Sequence, residues 1–112
     1  MKLSPNAETY DAMQLALTRE IVESILSGLK QAGVSDRAML EEAAGNIAFS
    51  VTAIVDGSAV MELNGESLSP VLTFCHPKNE GEIITAGEGG SWMHEYVFGV
   101  LSDILDDGGD EG

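Results

Sequence analysis

Between Asn6 and Gly33 the chain places Tyr10, Met13, Leu17, Ile21, Ile25, Leu29 and Ala32 in steps of three and four. That spacing follows the 3.6-residue period of an α-helix and lays the seven side chains along one stripe, so residues 7 to 32 are read as an amphipathic helix whose apolar face needs a cover. Its ends are chemically punctuated. Asn6, after Pro5, suits an N-cap, and Gly33 accepts the left-handed conformation that closes a helix.

A second helix is expected from Ser35 as cap, with Asp36 favoured in its first turn and a stripe at Leu40, Ala43, Ala44 and Ile47. The segment Ile47 to Val55 supports two readings. Val51 and Ile54 continue the helical stripe, whereas its β-branched residues also alternate at period two. Helix is the preferred reading, because the spacing passes Gly45-Asn46 in phase and Asp56-Gly57 forms a stop. A hairpin follows: Ala59 to Leu63 and Ser67 to Phe74 flank Asn64-Gly65, a pair suited to a two-residue turn, with Pro70 marking an edge or a bulge. Ile83 to Ala86 reads as a third strand, and Ser91 as the cap of a last helix burying Met93, Val97, Val100, Leu101 and Ile104. The expected class is therefore α+β: two N-terminal helices, a small antiparallel sheet built on a hairpin, and a C-terminal helix.

At 112 residues and 44% hydrophobic content, one core is the expectation. The domain is read as residues 1–105, with the acidic tail 106–112 holding no apolar anchor. Charge narrows the partners. The net charge is −14, divided as −3 over residues 1–42 and −11 over residues 43–112, where Lys78 is the only base. Such a balance repels phosphate backbones and anionic lipid surfaces, so neither nucleic acid nor membrane is an expected partner. The stretch Ile47 to Val55 contains Ser50 and Thr52 and falls short of the roughly 20 apolar residues that span a bilayer. One cysteine, Cys75, and an N-terminus without an apolar signal core point to the cytoplasm.

Residues that can carry chemistry are few. Cys75-His76 has the composition of a nucleophile and its base, but neighbours on a strand point to opposite faces, so Cys75 would need His94. Cys75, His76, His94 and Glu95 are all acceptable zinc ligands, although His94-Glu95 lacks the second histidine of the helical zinc motif. The acidic C-terminus does not fit a twelve-residue calcium loop. Gly87-Glu88-Gly89-Gly90 opens a helix as phosphate cradles do, yet no lysine or arginine follows and Glu88 would face the phosphates. No catalytic, metal or cofactor residue is therefore assigned. Trp92 and Tyr96, one turn apart beside His94 and Glu95, form the candidate interaction set.

These observations favour a non-catalytic binding or regulatory protein offering an acidic surface to a basic protein partner, as an inhibitor or immunity-type protein does. The alternative is a small enzyme or metal-dependent binding domain with its site near Cys75, His76, His94 and Glu95. A homodimer built on the two long helices is a further possibility.

Overall fold

The computed structural model describes residues 2–75, 82–86 and 91–108. Helix α1 spans Ala7–Gln31. Asn6 caps it, its side chain accepting from the Thr9 amide at 3.1 Å. At the other end Gly33 takes φ +100, and its amide reaches the Lys30 carbonyl while that of Val34 reaches Leu29. This paired closure needs a left-handed residue where Gly33 stands.

Helix α2 spans Arg37–Val55 and starts one residue later than the Ser35 cap implies. Asp36 is the cap: it stays extended, and its carboxylate accepts from the Ala38 amide. The ambiguous segment 47–55 is helical throughout, and Gly57 at φ +84 ends it. A side chain at Gly57 would also meet the Pro70 carbonyl at 2.8 Å. Helix α3 spans Met93–Gly108, three residues beyond the boundary at Leu105, and Asp106 within it pairs with Arg37. Residues 109–112 of the acidic tail lie outside the described residues.

The three helices form one bundle. Val22 and Leu26 of α1, Leu40, Ala44 and Ala48 of α2, and Val97, Val100, Leu101 and Leu105 of α3 make its core. Helices α2 and α3 approach closely at Gly45, where a Cβ would lie 2.9 Å from the Phe98 ring. On α1 the fully buried ridge is Tyr10, Gln14, Thr18, Val22 and Leu26. The expected stripe of Leu17, Ile21 and Ile25 sits beside it, half-buried. Burial is thus centred about one residue further along the helix than apolar spacing alone indicates. Polar Gln14 and Thr18 fill core positions because their hydrogen bonds are met internally, Thr18 donating to the Gln14 carbonyl.

The α+β class is as read, but the strands divide into two sheets. Strands β2 (Met61–Leu63) and β3 (Glu66–Leu68) form the hairpin. Asn64 and Gly65, both at positive φ, make its turn. The chain then leaves that sheet: Ser69 to Thr73 belong to no strand, since Pro70 has no N–H for the ladder. Strand β4 (Phe74–Cys75) pairs antiparallel with β5 (Glu82–Thr85). An N-terminal strand, β1 (Lys2–Pro5), pairs parallel with β5 on its other side. The antiparallel pairs β2–β3 and β4–β5 thus lie in two sheets, the second extended to three strands by the parallel β1.

By length and composition alone α2 is apolar enough to cross a bilayer, with 19 residues and mean hydropathy 1.2. The run Ile47 to Val55 taken alone gave no such segment, because the helix begins ten residues earlier. Its inner face, along Leu40, Ala44, Gly45, Ala48 and Thr52, is occupied by the bundle.

Candidate functional site

Helix α3 begins where three parts of the chain meet, and its first amides find acceptors on the other two helices. Gln14 of α1 accepts from the Ser91 hydroxyl at 2.9 Å and the Trp92 amide at 3.0 Å, while donating to Asp11. Ser91, expected to cap α3, thus spends its hydroxyl on Gln14. At the end of α2, Asp56 accepts from the His94 amide at 3.1 Å. A carboxylate at a helix N-terminus meets both the orphan N–H groups and the positive end of the helix dipole.

Asp56 also takes the His94 ring. Its buried Oδ2 lies 2.5 Å from Nδ1, and its Oδ1 accepts from the Ser58 amide. Burial pushes the Asp56 pKa up, but the hydrogen bonds from the His94 ring, from Ser58 and from the two backbone amides outweigh it, so the pKa is lowered from its ordinary 3.8. The Ser58 hydroxyl lies 3.3 Å from the same Nδ1. This excludes a hydrolytic triad from Ser58, His94 and Asp56: there the acid and the nucleophile occupy opposite ring nitrogens, and here they share one. A partner of His94 must use Nε2.

Aromatic rings extend the site across the surface. The Phe49 ring meets His94 edge-on at 5.5 Å, Trp92 lies 6.3 Å from His94, and Phe49 stands 6.1 Å from Phe98. Phe49, Trp92 and Phe98 are each about half exposed. Phe98 continues into a shallow groove with Ala38, Glu41, Glu42 and Asn46. The strip Trp92–His94–Phe49–Phe98 is therefore apolar at its centre and acidic at its α2 end.

Of the residues singled out from sequence, Trp92 and His94 meet here, and Glu95 is exposed beside them in the first turn of α3. Tyr96 goes elsewhere and packs against the core. Burial, then Asp11 and then Glu95, raise its pKa above 10.0. Cys75 is exposed on β4, and His76 lies outside the described residues, as does the glycine loop 87–90. Among the described residues no three His, Cys, Asp or Glu side chains are grouped to hold a metal ion. Asp56, Phe49, Phe98 and Gln14 were missed as site residues; Asp56 reads in sequence as a helix stop, and its partner is 38 residues away.

Comparison with protein-family models, with curated proteins and with solved structures finds no match.

Proposed function

We propose that this chain is a non-catalytic binding protein for a basic protein partner, with the aromatic strip as its contact surface. The observation that carries the reading is the groove where the exposed Phe98 ring stands beside Glu41 and Glu42. An arginine or lysine laid there meets an aromatic face and two carboxylates together, which is how a cationic side chain is held at a wet surface. Trp92 and Phe49 supply the large, stiff apolar contacts around which interface energy concentrates. The net charge of −14 supplies the long-range attraction. The Asp56–His94 pair serves to hold the strip in shape, since it fixes the start of α3 on the end of α2.

Glu41→Gln combined with Glu42→Gln keeps the groove's shape and removes its charge. A basic protein captured from the native host by the wild-type chain should be lost or weakened at least tenfold by this pair. Its association rate should fall severalfold between low salt and roughly 0.5 M salt, with dissociation less affected. Equal binding by both forms, or an association rate indifferent to salt, overturns the proposal.

A further inference from the structure

A second surface, separate from the strip, lies on the outer side of α2. Met39, Ala43, Ile47, Ser50 and Ile54 recur in steps of three and four, so they share one face. Met39 is 56%, Ile47 43% and Ile54 47% exposed. That face carries no charge over four turns, in a chain with 19 acidic residues. A continuous apolar helix face is ordinarily covered, and α2 is buried only along Leu40, Ala44, Gly45, Ala48 and Thr52.

The hairpin that follows α2 has the same deficit. Its register sets Met61 opposite Leu68 and Leu63 opposite Glu66, which places Met61, Leu63 and Leu68 on one face with Glu66 among them. All six strand residues are exposed. The hairpin packs against no other element of the described chain beyond marginal contact. Two strands alone are marginally stable in water.

We propose that a second copy of this chain docks antiparallel on the outer face of α2, with each hairpin lying over the N-terminal end of its partner's α2. The order of side chains is what selects this occupant. About a two-fold axis between Asn46 and Ile47, Met39 falls opposite Ile54 and Ala43 opposite Ser50, so large meets large and small meets small. That self-complementarity is what an isologous interface requires. A basic protein would find no carboxylate on this face to pair with. An anionic membrane would find no lysine or arginine at the rim, which interfacial helices use as anchors. A second copy needs neither.

Sedimentation velocity on the full chain between about 1 and 100 µM reads the outcome. The wild type should sediment as a dimer at twice 11.8 kDa. Ile54→Glu should weaken association about a hundredfold by burying an unpaired charge, with helix content by circular dichroism unchanged. Adding Met39→Lys to Ile54→Glu should restore the dimer, because antiparallel pairing sets the opposite charges face to face. That rescue separates the specific register from a general loss of apolar surface. A monomeric wild type, a dimer indifferent to Ile54→Glu, or vesicle binding by α2 in place of dimerisation each overturns the proposal.

Discussion

The two ends of the bundle are held by different physics. At the end holding Leu26, Leu40, Val100, Leu101 and Leu105 the core is aliphatic and fits by shape. At the end where α3 begins, Gln14, Thr18, Thr52 and Asp56 are buried; the hydroxyls of Thr18 and Thr52 donate to carbonyls of their own helices, and the hydrogen bonds of Gln14 and Asp56 set the positions of Ser91, Trp92 and His94. Aliphatic packing is non-directional, so it stabilises without dictating a single arrangement. Buried polar groups cost free energy unless each finds its partner, so they admit few arrangements. The candidate strip lies at the polar end, where geometry is the more tightly specified.

The largest effect should come from emptying the aliphatic end. Leu101 is 1% exposed, and Leu101→Ala should cost about 2 to 5 kcal/mol, the range for a core site that closes only partly over the cavity. A urea titration measures it. A cost below about 1 kcal/mol would mean that this end is loosely packed, and the contrast between the ends would fail.

Gln14→Leu tests the polar end at similar side-chain volume. It removes the acceptor used by the Ser91 hydroxyl and the Trp92 amide, which should cost about 1 to 3 kcal/mol. The telling readout is local: tryptophan fluorescence should shift while Leu101→Ala, at equal destabilisation, leaves it unchanged in the folded state. If both variants move the Trp92 signal alike, the two ends do not specify structure differently.

This contrast also explains what the sequence made legible. Local chemistry suffices for the three helices, the Gly33 stop and the Asn64-Gly65 turn, although the caps of α2 and α3 differ from the expected Ser35 and Ser91. The α1 stripe was centred on Leu17, Ile21 and Ile25 because Gln14 and Thr18 count against burial until their partners are known. Strand β1 was not foreseen, since Lys2–Pro5 is short and pairs with a strand about 80 residues away. For the same reason His94 was visible as a candidate while Asp56, which holds it, was not.

The smallest effect, and the one most specific to the polar end, is a response to acid. Asp56 has its pKa lowered in the folded state from 3.8, so the folded protein favours the carboxylate more than the unfolded chain does. Stability from this group is complete above the unfolded value and is lost as pH falls through the lower, folded one. Asp56→Asn keeps one acceptor oxygen, enough for the Ser58 amide or the His94 amide but not both, and removes the charge that holds the His94 ring. Its stability deficit against wild type should therefore shrink as pH falls below about 4. The other 18 acidic side chains are common to both forms and cancel in the difference. Urea midpoints for the pair across that range decide the matter. A deficit that stays constant in acid, or widens, would show that Asp56 acts there by shape alone, and the polar end would then be held as the aliphatic end is.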